Sequence, residues 1–206
     1  MVHIHKSYLN KNLILFSTNK FSDTRGFFSE TYNKKELKKI GIKENFVQDN
    51  YSLSNNKGII RGLHLQKYPM KQSKIIRVLK GSILDVVVDI RKNSKTFGKY
   101  YSFNLTDKNF LQLYISDGFA HGFCTLEKDT QVVYKASQFY SKKHEITIYW
   151  NDPELSIDWQ LNRKKAIVSQ KDKKGMTFRD FAKNLKKSNN ENTCNRWARF
   201  YWFKFY

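Results

Sequence analysis

One histidine, two basic side chains and three amides fall on neighbouring stretches of this chain. They lie in Arg61-Gly62-Leu63-His64-Leu65-Gln66, between Gln48-Asp49-Asn50 and Lys74. These stretches read as β-strands. One imidazole beside several cations suits removal of a proton from carbon, with the cations holding the anion that results. His64 and Gln66 share a strand face, because side chains alternate by two. Zinc is not expected: Gln66 stands where a second ligand would be, and no carboxylate or histidine is spaced to complete a site. His64 therefore reads as a base.

A histidine base works best when a carboxylate orients its other nitrogen. Asp85, Asp89, Asp158 and Asp172 are candidates, and spacing does not choose among them. Asp85 and Asp89 can equally pair with Arg77 or Arg91. Tyr134, next to Lys135, is a candidate acid, since a phenol can deliver a proton at neutral pH. Lys74, Arg61 and Arg25 can bind phosphate or an enolate oxygen. His3-Ile4-His5 has a metal-like spacing, but a terminal position predicts a mobile segment.

The elements that must position these groups are mostly short strands. The pattern predicts strands over Leu13–Phe16, Gly26–Thr31, Ile59–Gln66, Ser73–Leu79, Ser82–Ile90 and Tyr100–Leu105. Further strands are expected over Phe110–Ile115, Gly122–Leu126, Gln131–Ala136 and Glu145–Trp150. Lys80-Gly81 reads as a hairpin turn. In Ser82–Ile90, Leu84, Val86, Val88 and Ile90 alternate with Ile83, Asp85, Val87 and Asp89, so the two acids share one face and need partners or solvent there. A helix is expected from Lys34 to Ile40, capped by Asn33 and ended by Gly41. A second is expected from Thr177 to Leu185. Many strands and few helices indicate an all-β chain, a sandwich or barrel, with a jelly roll as a natural solution.

At 206 residues, with 40% hydrophobic and 16% aromatic content, one domain is expected over 1–185. Residues 186–206 read as an appended tail: a polar, asparagine-rich linker followed by seven aromatics in ten residues among Arg196, Arg199 and Lys204. The net charge is +20, and half of that excess lies between Arg163 and Lys204. Such a charge attracts anions, including phosphorylated ligands. Lysines on a solvated face account for most of it, and no nucleic-acid role is expected. No apolar run approaches the roughly 20 residues that span a bilayer. The N-terminus lacks a basic-then-apolar signal pattern, so a cytoplasmic protein is expected. Cys124 and Cys194 lie too far apart for a metal or redox motif and read as free thiols.

Several motifs occur in order along the chain. They are Phe21-Ser22-Asp23-Thr24-Arg25-Gly26-Phe27-Phe28-Ser29-Glu30, Gln48-Asp49-Asn50, Arg61 to Gln66, Lys74, and Asp85-Val86-Val87-Val88-Asp89-Ile90-Arg91. Gly118-Phe119-Ala120-His121-Gly122-Phe123, Tyr134-Lys135, Tyr140, Trp150-Asn151-Asp152-Pro153 and Ser169-Gln170-Lys171-Asp172 follow. As a set they resemble the dTDP-4-dehydrorhamnose 3,5-epimerase family. The resemblance covers about Leu13 to Asp180. It implies a cupin jelly roll acting as a homodimer on a nucleotide sugar, without metal or organic cofactor. Carried over by motif, His64 is the base, Asp172 its carboxylate partner, Tyr134 the acid and Lys74 the stabiliser of the enolate. Arg25, Arg61, Gln48, Asn50 and Glu30 are implied as nucleotide or pyrophosphate contacts, with Tyr140 near the nucleobase and His121 near the sugar. Phe21 and Arg25 are implied to reach the partner's site. The substrate implied is dTDP-4-keto-6-deoxy-D-glucose, inverted at C3 and C5 to dTDP-4-keto-L-rhamnose. Leu65 stands where many members carry an aromatic, and Lys67 to Gln72 forms a loop beside the site. These departures motivate an alternative: inversion at C3 only, or another nucleotide-linked 4-keto sugar.

Overall fold

The computed structural model describes residues 1–185. The tail expected over 186–206 lies outside the described residues. The chain begins with β1 (Val2–Tyr8), β2 (Leu13–Thr18) and a hairpin of β3 (Phe21–Asp23) and β4 (Gly26–Phe28). Helix α1 (Lys34–Lys39) precedes β5 (Gln48–Ser54), β6 (Ile59–Gln66), β7 (Lys74–Lys80) and β8 (Ser82–Asp89). Then come β9 (Tyr100–Thr106), β10 (Gln112–Ile115), β11 (Phe119–Thr125), β12 (Thr130–Ala136) and β13 (Glu145–Thr147). The last elements are β14 (Ile167–Val168), α2 (Gln170–Lys173) and a helical segment over 178–185.

Two sheets form a β-sandwich of the expected all-β class. One runs β1-β2-β10-β7-β12-β5, and the other β13-β6-β11-β8-β9, with β14 added beside β6. Apolar residues fill three layers. Ile76, Val78, Ile83, Val87, Leu113, Phe123 and Val132 pack between the sheets. Outside the first sheet, Leu37 of α1 and Ile42 cover Ile14, Phe16, Ile75 and Tyr114. Outside the second, Trp150, Leu155, Ile157, Trp159, Phe178 and Phe181 cover Leu84, Val86 and Val88. The alternation in β8 is explained by this layering, because both of its faces are buried.

Asn33 caps α1 as expected, accepting from the backbone N–H of Lys35 and Glu36. Several strands differ from expectation, β1 and β13 among them. β1 is an edge strand rather than a mobile terminus: His3 Nε2 bonds Asn19 Oδ1 at 2.5 Å and His5 Nε2 bonds Ser17 Oγ at 2.8 Å. The expected strand over Glu145–Trp150 ends at Thr147, and Ile148 and Trp150 instead fill the outer core.

Asp89 ends β8 with no exposure to solvent. Its carboxylate accepts from the Arg91 backbone and guanidinium and from the hydroxyls of Ser94 and Thr96. Burial alone would raise its pKa, but these donors outweigh it and hold the group at about 2, below its ordinary 3.8. A depressed carboxylate stabilises the fold above its unfolded pKa and loses that contribution as pH falls through the folded one. The unfolding free energy is expected to drop by about 2 kcal/mol on this group as pH falls from 3.8 to about 2. Denaturant titrations across that range check it; the Asp89→Asn protein should lack this component of the slope.

Candidate active site

The register of β6 against β11 aims the central side chains. His64 lies opposite His121, while Arg61 lies opposite Phe123. Two steps on β11 thus match three on β6, which is a β-bulge. Ile60, Leu63 and Leu65 point into the outer core. Arg61, His64 and Gln66 line one cleft between the sheets. Gly62 makes this crossing possible. Its φ is +128°, and a Cβ there would stand 2.5 Å from Gly122 Cα and 2.8 Å from the His121 carbonyl oxygen.

The carboxylate behind His64 comes from far along the chain. β14 pairs parallel to the start of β6, with Ile167 beside Ile59 and Val168 beside Ile60. This delivers α2 to the cleft, with Ser169 as its N-cap. Asp172 Oδ1 accepts from His64 Nε2–H at 2.6 Å, and Asp172 Oδ2 accepts from the Gly62 backbone at 3.3 Å. Burial acts to raise the Asp172 pKa, but the bond and charge of His64 and the donors Gly62 and Ser169 bring it below the ordinary value. An ionised Asp172 leaves His64 Nδ1 as the free basic nitrogen. The other candidates are engaged elsewhere: Asp85 with His121, Asp89 with Arg91, and Asp158 with the Gln160 backbone.

The first sheet supplies the opposite wall. Tyr134 on β12 lies between Asn50 of β5 and Ile76 of β7 in register. Lys74 opens β7, with Nζ 5.9 Å from the centre of the Tyr134 ring. Burial lowers the Lys74 pKa to about 8, against the opposing pull of Asp85 and Glu145. Burial raises that of the Tyr134 phenol, which therefore holds its proton at neutral pH. His64, Lys74, His121, Tyr134 and Asp172 all line the same cleft, of about 820 Å³.

A chain of contacts closes one end. Gln48 donates to Asn50 Oδ1 at 2.9 Å and accepts from the Tyr140 backbone at 2.9 Å. The Tyr140 hydroxyl donates to Glu145 Oε2 at 3.0 Å, and Glu145 Oε1 pairs with Lys171 at 2.7 Å. Glu145 and Lys171 were not singled out from the sequence. The only signal for Lys171 was its place before Asp172, and none marked Glu145. Asn50 Nδ2 and Ser52 Oγ are buried without a protein partner, and both residues line the cleft. Arg61 is braced by Ser54 Oγ and the Leu53 carbonyl.

Three expected contacts are not brought to this cleft by their own chain. Phe21 and Arg25 lie on the exposed β3–β4 hairpin, where Arg25 pairs with Asp23 at 2.5 Å. Glu30 accepts from Asn33 Nδ2 instead. Leu65 packs in the outer core and also borders the cleft. The loop after it is tied down by Gln66, which donates to the Met70 carbonyl at 2.8 Å. Among the described residues no three or more His, Cys, Asp or Glu converge as metal ligands, and no helix is long and apolar enough to cross a membrane.

A paired imidazole, a protonated phenol and an ammonium around one cleft are equipped for proton transfer at carbon. Known proteins point the same way. A family model described as dTDP-4-dehydrorhamnose 3,5-epimerase matches residues 10–180. A curated dTDP-4-dehydrorhamnose 3,5-epimerase from Shigella flexneri is 45% identical over 170 residues, covering 82% of this chain and 92% of that one. The crystal structure of the Bacillus anthracis dTDP-4-dehydrorhamnose 3,5-epimerase, with TDP and PPi bound, matches with a TM-score of 0.83 at 43% identity, covering 86% of this chain and 100% of the other. A Legionella pneumophila 3,5-epimerase in complex with dTDP-4-keto-L-rhamnose matches with a TM-score of 0.81 at 37% identity, over 86% and 93% of the two chains. The sandwich is thus of the cupin-like kind expected from the motifs. With its cleft residues in the order the motifs require, this chain belongs to the dTDP-4-dehydrorhamnose 3,5-epimerase family.

Proposed function

We propose that the cleft inverts C3 and C5 of dTDP-4-keto-6-deoxy-D-glucose, giving dTDP-4-keto-L-rhamnose. The observation that carries this reading is the set His64–Asp172, Lys74 and Tyr134 around a single cleft. The C4 ketone acidifies both neighbouring carbons. His64 Nδ1 takes the proton, the C–H electrons move onto the carbonyl oxygen, and an enolate forms. Lys74 holds the enolate oxygen. Tyr134 then gives its O–H proton to the opposite face of the carbon, and the carbonyl re-forms. The tyrosinate left behind is reprotonated from solvent or from the imidazolium. A second pose of the sugar brings the other carbon to the same pair.

The pyrophosphate and nucleotide supply binding energy remote from the reacting carbons. Arg61, Gln48 and Asn50 are assigned to them, Tyr140 to the nucleobase, and His121 to the sugar. Arg25, Glu30 and Phe21 complete the nucleotide site. Phe21 is 58% exposed and Phe28 69%, which supports a homodimer in which this hairpin reaches the partner's cleft. The protein is assigned to the cytoplasm, where the buried free thiol of Cys124 remains reduced.

Incubation with the ketosugar in D₂O tests the reading: deuterium should enter at C3 and C5. Label at neither carbon would refute it, and label at C3 alone would select the single-centre alternative. Lys74→Ala is expected to lower kcat by about 10²–10³-fold, the usual loss for one oxyanion donor. The sign of the pH dependence follows from the depressed ammonium. Lys74 is charged below about pH 8 and neutral above it, so kcat/KM should fall as pH rises through that value. The pH profile of the Lys74→Ala protein should lack this limb.

A further inference from the structure

Asp85 lies on the inner face of β8 with no solvent exposure. Its Oδ2 is 2.9 Å from His121 Nε2, and its Oδ1 has no hydrogen-bond partner. Half of a buried carboxylate left unpaired is destabilising, and an apolar residue on this strand face would avoid that penalty. The carboxylate stands behind His121, which lines the cleft, and its charge acts on Lys74, which lines the same cleft. Neither the proton transfers nor the packing accounts for it.

We propose that Asp85 is a positioning residue for epimerisation: it fixes the His121 tautomer that presents a bare nitrogen to a sugar hydroxyl, and its charge keeps Lys74 an ammonium at the enolate oxygen. This rests on the enolate reading above. The first half follows from hydrogen-bond capacity. A carboxylate only accepts, so Nε2 of His121 must carry the hydrogen. Burial lowers the His121 pKa, Asp85 opposes the shift, and Lys74 and His64 add to it. The ring is therefore neutral near pH 7. Its Nδ1 then holds a lone pair and has no protein partner among the described residues. Such a nitrogen accepts from a hydroxyl and offers nothing to the ketone oxygen, which is left to Lys74. The second half follows from the charges that face Lys74. Asp85 sustains its charge more than Glu145 does, while burial opposes it.

Asp85→Asn keeps the shape and removes the charge. The variant is expected to lower kcat by about 10–100-fold, the usual effect of removing an imidazole's outer partner. The alkaline limb of kcat/KM should move to lower pH by about one unit, as expected when a nearby opposite charge is removed. A structural role alone would lower activity without moving that limb. Nitrogen-15 NMR of histidine-labelled wild-type enzyme gives a second test that needs neither the variant nor turnover. His121 should show protonated Nε2 and bare Nδ1. Protonated Nδ1 in the wild type, or an unmoved alkaline limb in the variant, would overturn the proposal. Absence of deuterium uptake by the wild type would instead overturn the epimerase reading, and the NMR result would still report on Asp85.

Discussion

His64→Ala is expected to abolish deuterium uptake at C3 and C5 together, with a loss of about 10²–10⁴-fold in each exchange rate. The two rates should fall in parallel, because the proposed mechanism uses one imidazole for both carbons. His64 is well placed for this. Its Nε2–H is committed to Asp172 at 2.6 Å, and its side chain remains 27% exposed on the cleft side. Binding of dTDP alone should be nearly unchanged, since the nucleotide contacts assigned above do not include this ring. NMR exchange rates and a dTDP titration give both readouts. Exchange at either carbon persisting at the wild-type rate would mean that a second base exists.

Tyr134→Phe should separate the two halves of the reaction. Phenylalanine keeps the ring that packs against the inter-sheet core, so the fold should survive. The missing hydroxyl removes the acid. Burial keeps that phenol protonated in the native protein, and among the described residues no other ring lies over the Lys74 ammonium. Net inversion should fall by about 10²-fold or more. Deuterium should still enter from the His64 face with retention, so exchange would outrun inversion. Equal losses in exchange and inversion would argue that Tyr134 acts only by packing.

The strands that could be read from the chain were those whose apolar pattern is driven by burial. β6 runs from Ile59 to Gln66 and β8 from Ser82 to Asp89, close to expectation, because their Val, Ile and Leu residues face the packed layers. β5 shows the limit. Its residues Gln48, Asp49, Asn50 and Ser52 are turn-formers by composition, yet they form a strand whose polar face lines the cleft. Side chains that face a cleft rather than a core carry no hydrophobic period, so the extent of the strand is not marked in the sequence. β1 escaped for a related reason: an edge strand with five exposed residues carries little apolar signal.

The site was legible in parts. His64, Lys74 and Tyr134 stood out by residue type and neighbours. Pairing of His64 with Asp172 joins positions 108 residues apart, and no local spacing encodes it; only the ordered motifs implied it. The pattern in β8 leaves Asp85 to an arginine or to solvent, whereas the structure buries it against His121. Glu145 and Lys171 were missed because an ion pair between separate segments leaves no trace in either. The bulge at Gly62 was also missed, although a glycine inside a strand is the usual hint.

That extra residue in β6 has a consequence for how this stretch can vary. In a regular strand, positions three apart face opposite ways, so Arg61 would point away from His64. Straightening the bulge with the residue count unchanged would turn the guanidinium out of the cleft. The position least open to substitution is Gly62, because a Cβ there would collide with Gly122 and force the bulge to rearrange. Directed evolution for new sugar substrates should randomise the loop after Gln66 and hold the count from Ile59 to Gln66 constant.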